Sequence, residues 1–153
     1  MMMMMMKDAG LPIRHIIIWV KNNSAFSFGR LDYEYQHEPI LYTWNKKHVF
    51  IGGGKYRSSV WNINRELTCD VHPTMKPVEL VENAILNSSK EGDIIADIFA
   101  GSGTTIIAAE RTKRRAFCIE KDTHYCDVIV KRYQEWCEKN NRKCDVKRNG
   151  QPI

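Results

Sequence analysis

An open α/β fold is what this sequence predicts, and three observations carry the prediction. An apolar run, Ile94-Ile95-Ala96, ends on Asp97 and turns through Gly101 and Gly103 into a second apolar stretch, Ile106-Ile107-Ala108-Ala109. A further short run, Ala116-Phe117-Cys118-Ile119, also ends on an acid, Glu120. Helical spacings flank both runs, so strand and helix alternate.

The stretch Asp97-Ile98-Phe99-Ala100-Gly101-Ser102-Gly103-Thr104-Thr105 therefore reads as strand, glycine turn and helix. Two glycines let the main chain approach a ligand closely, and a helix N-terminus offers unpaired N–H groups. Phosphate-binding versions of such a turn fit poorly. A Walker A loop needs Gly-Lys-Ser/Thr, whereas Gly103 is followed by Thr104; a dinucleotide fingerprint needs glycine or alanine where Ile106 stands. Glu120 lies seventeen residues beyond Gly103, where an acid at a neighbouring strand end can accept hydrogen bonds from ribose hydroxyls. An adenosine without a pyrophosphate fits these residues best.

The remaining elements follow in order. Ala9-Gly10-Leu11 closes a helix, and Ile16-Ile17-Ile18-Trp19-Val20 is a continuous apolar run suited to a strand buried on both faces. His37 and Glu38 stand at the entrance of another strand that runs to Tyr42, where they orient loops by hydrogen bonding. Residues 45–71 form a flexible basic segment. Gly52, Gly53 and Gly54 permit turning, Lys46, Lys47, Lys55, Arg57 and Arg65 neutralise phosphates, and Tyr56 and Trp61 are candidates to stack on a displaced base. Pro77 suits the first position of a helix with a core face of Val78, Val81, Ala84 and Ile85. Asp122 caps a last helix whose inward stripe is Tyr125, Val128, Ile129, Arg132, Tyr133 and Trp136, with Cys126 and Cys137 on another face as inert thiols. A short edge strand near Cys144 to Val146, or a basic tail, ends the chain.

At 153 residues the chain is of single-domain size, and its net charge of +5 supports a polyanionic partner. Five cysteines without a C-x-x-C pair indicate neither a disulfide framework nor a zinc site, which suits a reducing cytoplasm. No apolar run approaches the roughly eighteen residues of a membrane span, and the six leading methionines run into Lys7 and Asp8, unlike a secretory signal. No membrane partner is expected.

The Phe-x-Gly-x-Gly turn, with Glu120 and Tyr125 behind it and His72-Pro73-Thr74-Met75-Lys76-Pro77 about twenty residues ahead, resembles amino-group DNA methyltransferases. The likeness is to the branch whose catalytic motif lies N-terminal to its S-adenosylmethionine motif, common in phages and restriction-modification systems. The resemblance implies a Rossmann-like, doubly wound methyltransferase sheet and S-adenosylmethionine as cofactor. By the same likeness Asp97, Phe99, Ala100, Gly101, Ser102, Gly103, Thr104 and Glu120 hold the cofactor, together with His72, Thr74, Lys76 and Pro77. Thr74 and Lys76 would face its carboxylate or nearby backbone. Segment 45–71 takes the place of the family's target-recognising insertion, which implies double-stranded DNA as partner. Where the family usually has proline before the phenylalanine, this chain has Ile98.

The family positions its target amine with an acidic or polar residue followed by Pro-Pro-aromatic. Here prolines occur only at 12, 39, 73, 77 and 152, and no Pro-Pro exists. The order of motifs is the family's with its opening removed, so the expectation is one partial domain over 1–153, lacking the central strand that carries the catalytic motif. That strand would come from an N-terminal half or a second chain. Two other readings stay open: a non-catalytic module that binds S-adenosylmethionine or DNA, and a methyltransferase acting on RNA or a small molecule.

Overall fold

The computed structural model describes residues 2–24, 32–65 and 75–152. Helix α1 (Met2–Asp8) takes up the methionine run and closes at Gly10, whose φ of 74° is the left-handed conformation a glycine cap adopts. Strand β1 (Ile13–Val20) follows, then β2 (His37–Thr43), antiparallel to it with Ile17 opposite Ile40. A three-residue strand, β3 (Val60–Asn62), pairs parallel with the other edge of β1 to give the order β2-β1-β3.

One face of this sheet holds a core of Trp19, Trp61, Ile63 and Leu80. The expectation that β1 is buried on both faces is corrected here. Ile16, which points the other way, is 44% exposed, because β-strand side chains alternate and the core lies on the face of Trp19.

Helix α2 (Val78–Ser88) starts one residue later than expected, with Pro77 in extended geometry (φ −59°, ψ 142°) as its N-cap. It is buried on two sides. Leu80 joins the first core, while Ile85, flanked by Val78 and Val81, joins a second core with Ala108, Ala109, Ile95 and Ala116. Ala84, expected in the core, is exposed. Strand β4 (Ile94–Asp97) and β5 (Arg115–Cys118) pair in parallel, connected by α3 (Thr104–Arg111). Helix α4 (Thr123–Lys139) is capped by Asp122, which accepts from His124 N at 2.9 Å, and its expected stripe is half-buried from Tyr125 to Trp136. Cys137 is buried and Cys126 exposed, so the two thiols do not share an environment. The chain ends in a small hairpin, β6 (Lys147–Arg148) with β7 (Gln151–Pro152), a few residues beyond the strand expected near Cys144.

The α/β class with an incomplete sheet is what the structure contains. Strand β4 pairs with β5 alone, and among the described residues its other edge has no strand partner. Ile94, Phe117, Ile98 and Ile119 stand exposed along this unit. In a closed doubly wound sheet such side chains are covered by neighbouring elements. No helix among the described residues is long and apolar enough to cross a membrane.

The candidate site at the glycine turn

The carboxyl ends of β4 and β5 lie side by side, and the turn after β4 is tied to the end of β5. Ile119 N donates to Asp97 O at 2.8 Å, and Ala100 N donates to Ile119 O at 3.1 Å. Asp97 spends both carboxylate oxygens on the turn: Oδ1 accepts from Phe99 N at 3.0 Å and Oδ2 from the Thr105 hydroxyl at 2.6 Å. Its role is to shape the loop from within.

Glu120 closes the same loop from the neighbouring strand. Oε2 accepts from Gly101 N at 2.7 Å and Oε1 from Asp122 N at 2.9 Å. These N–H donors, Asp122 first and Gly101 second, hold the carboxyl below its ordinary value, outweighing a small opposing effect of desolvation. Each oxygen keeps a lone pair beyond these bonds, so the group can still accept from a hydroxyl of a ligand.

The two glycines have different reasons to be there. Both have positive φ, 53° at Gly101 and 78° at Gly103, the N-cap of α3. A Cβ on Gly103 would stand 2.9 Å from Ile129 Cγ1, so the turn is sealed against α4 at that point. A Cβ on Gly101 would meet nothing within 4 Å. The turn is therefore packed on one side and open on the other, beside Phe99, which is 84% exposed. Ala100, Ser102 and Thr104 are buried beneath it.

The start of α2 adjoins this turn through Thr104, whose hydroxyl donates to Lys76 O at 3.2 Å. Pro77 is buried. The Lys76 ammonium lies 2.5 Å from Glu38 Oε2, and Lys21 lies 3.0 Å from Oε1. Both ammonium groups also stand over the Trp19 ring, at 5.4 and 5.7 Å. Burial raises the Glu38 pKa, but Lys76 and Lys21 outweigh it and hold the carboxyl below its ordinary value. Glu38 thus pairs with two lysines at once, and Lys76 is engaged in that ion pair. His72 and Thr74 lie outside the described residues.

The described part of the basic segment, residues 45–65, is held by more hydrogen bonds than its composition suggests. Asn83 and Asn87 of α2 are buried and act as a surrogate ladder for it. Asn83 Oδ1 accepts from Tyr56 N at 2.8 Å and Asn87 Oδ1 from Gly54 N at 3.0 Å, while both amide nitrogens donate to Tyr56 O. Lys55 pairs with Glu79 at 3.1 Å. Trp61 is corrected outright: at 3% exposure, with Nε1 donating to Ser58 O, it is a core residue with no face for a base. Lys46, Lys47 and Arg57 remain exposed, whereas Arg65 is half-buried and its N donates to Asn22 Oδ1. Residues 66–71 lie outside the described part.

Sequence reasoning missed an aromatic ladder in which Trp44 and His48 stack at 4.0 Å, with Arg14 over Trp44 at 5.4 Å. Next to it lies a cavity of about 310 Å³ lined by His15, Tyr42, Phe50 and Arg57 among others. It adjoins the later part of α2, at Ala84, Asn87 and Ser88, so about 9 Å of helix separates it from the end that meets the glycine turn. Also missed was the tie from Arg132 to the turn, although a cation within an otherwise apolar helical stripe was a readable signal. Among the described residues no group of three His, Cys, Asp or Glu side chains could hold a metal ion.

A family model described as DNA methylase, of the N6/N4 type, matches residues 1–131. The type II methyltransferase M2.MboI of Moraxella bovis is 32% identical over 146 residues, covering 85% of this chain and 53% of that protein. M2.DpnII of Streptococcus pneumoniae is 33% identical over 154 residues, covering 90% and 57%. The chain spans about half the length of these curated relatives. Among solved structures, the M1.HpyAVI–SAM complex superposes with a TM-score of 0.70 at 28% identity, over 85% of this chain and 66% of that one. The cytosine-N4-specific PvuII DNA methyltransferase also gives 0.70, over 86% and 55%, at 18% identity, a likeness of fold alone.

Proposed function

The chain belongs to the N6/N4 DNA methylase family, and on that premise we propose that it is the cofactor-binding portion of an S-adenosylmethionine-dependent DNA methyltransferase acting on the exocyclic amine of adenine or cytosine. The observation that carries the reading is the Glu120–Gly101 bond. It sets an acid at the end of β5 against a glycine turn that is open on one side, and the turn lacks the features of a phosphate loop. The donor set fits an adenosine cofactor: Glu120 offers lone pairs to ribose hydroxyls, and the unobstructed side of Gly101 leaves room for the ligand to approach the main chain. Asp97 and Thr105 shape the turn from beneath. Lys76 and Pro77, with His72 and Thr74 by family resemblance, flank the methionine part.

When bound, S-adenosylmethionine supplies the sulfonium methyl group that is transferred. Transfer to an amine is a positioning problem, since the base must leave the duplex and its nitrogen must stand in line with the methyl. No residue described in this chain is assigned that task, and no Pro-Pro pair occurs in it. The unpaired edge of β4, beside a groove of about 680 Å³ lined by Val81, Ile85 and Ile95 among others, supports completion by a strand that carries the missing motif. That strand comes from an N-terminal half or a second chain. The stretch 1–153 is then one partial domain, with 45–71 as a short recognition segment that contacts double-stranded DNA through Lys46, Lys47 and Arg57. The cytoplasm of a bacterial or phage-infected cell suits this role.

The same lack of an amine-positioning motif favours a second reading, a non-catalytic module that binds the cofactor or DNA. Calorimetric titration of the purified chain with S-adenosylmethionine, with Glu120→Ala as control, tests the cofactor site. Saturable binding lost in the variant supports it, and no binding by the folded wild-type chain counts against it. Adding a polypeptide that bears the Pro-Pro-aromatic strand and assaying DNA methylation separates the two readings. Loss of duplex affinity and a flatter salt dependence in Lys46→Ala/Lys47→Ala test the DNA contact.

A further inference from the structure

Helix α4 reaches back to the glycine turn through one side chain. Arg132 Nη1 lies 3.0 Å from Ser102 O, 3.1 Å from Ser102 Oγ and 3.0 Å from Thr104 Oγ1. Ser102 and Thr104 are both buried, so these acceptors have little water to turn to. The Thr104 hydroxyl gives its proton to Lys76 O, which leaves its lone pairs for the guanidinium. One cation thus holds two residues of the turn and, through Thr104, the start of α2. On the same side, Ile129, one turn earlier on α4, fills the space where Gly103 has no Cβ.

We propose that Arg132 is the positioning residue of the cofactor turn, holding Ser102 and Thr104 so that Gly101 and the Glu120 carboxylate stay presented to the ligand. The assignment to a cofactor rests on the reading given above. The physical reason is pre-organisation. The turn has two residues at positive φ, and the ties from Asp97, Ile119 and Glu120 reach Phe99, Ala100, Gly101 and Thr105 but neither Ser102 nor Thr104, so without Arg132 that part would sample open forms and ordering it would be charged against binding. Hydrogen bonds from a charged donor to buried acceptors are among the stronger ties a side chain can supply. Because a single nitrogen makes all three contacts, an ammonium group can take over part of the task, whereas a neutral apolar chain of similar length cannot.

The test uses the purified chain with Arg132→Met, Arg132→Lys and Thr104→Val. Amide hydrogen exchange without ligand reads the turn alone, and calorimetric titration with S-adenosylmethionine reads its consequence. Faster exchange at Ser102 to Thr105 in Arg132→Met is expected, with the interiors of α2 and α4 unchanged. Affinity should fall about tenfold or more, with substantial recovery in Arg132→Lys and an intermediate loss in Thr104→Val. Unchanged exchange in the turn overturns the proposal. So does loosening that spreads equally through α2 and α4, which is the mark of a merely structural residue. A wild-type chain that fails to bind S-adenosylmethionine removes the cofactor reading itself, and the exchange measurement, which needs no ligand, then decides the role of Arg132 by itself.

Discussion

Gly103 and Ile129 meet so closely that a single carbon does not fit between them: a Cβ on the glycine would lie 2.9 Å from Ile129 Cγ1 and 3.2 Å from Cγ2. Gly103 also sits at φ 78°. Gly103→Ala therefore combines a left-handed backbone penalty with overpacking against α4, a destabilisation of about 2–4 kcal/mol. Denaturant titration should show the lower midpoint. Gly101→Ala, in open space, should carry the backbone penalty alone and lose less.

Glu120 is ionised in the folded turn with its pKa below the ordinary 4.5. A carboxyl depressed on folding adds stability that is present above its unfolded value and is lost as pH falls through the folded one. The Gly101 amide resonance should therefore hold steady from neutral pH down through the ordinary 4.5 and move only below it. In Glu120→Gln one of the two N–H donors, Gly101 or Asp122, meets an NH₂ group in place of an oxygen, and that pH response should vanish together with the anchored amide.

Two lysines hold Glu38 in its charged form against a burial cost that acts the other way. Removing one of them should raise the carboxyl pKa, since the burial remains and the compensation shrinks. An NMR titration of the Glu38 side chain is expected to show a higher midpoint in Lys76→Met than in the wild type. The midpoint should be higher again when Lys21→Met is added. An unchanged midpoint would show that the Lys76–Glu38 pair does not form in solution.

Asn83 and Asn87 together supply the partners for Gly54 N, Tyr56 N and Tyr56 O. Replacing either by alanine leaves a part-buried main-chain N–H without its partner, at about 1 kcal/mol each. The double variant should cost more than the sum, because either amide alone still serves Tyr56 O and only the double variant leaves that carbonyl without its side-chain donors. Denaturation of the two single variants and the double variant measures this directly.

Much of the site was legible in the sequence because it is local. The turn from Asp97 to Thr105 and the cap at Asp122 follow from residues a few positions apart, whose backbone conformations and short-range bonds depend on residue type. Spacing alone was also enough to set Glu120 beside the turn, since one strand, one helix and the next parallel strand return the chain to the same sheet edge. Burial was less legible. Trp61 reads as an exposed aromatic among basic residues, yet Trp19 and Leu80 close over it and leave it in a core.

The sequence by itself determined the α/β class, the glycine turn with its strand-end acid, the absence of a Pro-Pro motif and, through the motif set, the family. Tertiary structure alone decided which side chains hold the turn and the basic segment: Arg132 on Ser102 across 30 positions, Lys76 on Glu38 across 38, and Asn83 on Tyr56 across 27. The reason is physical. Backbone geometry is governed by neighbours in the chain, whereas a buried hydrogen-bonding group must find whichever partner packing brings within about 3 Å, and periodicity does not encode that choice.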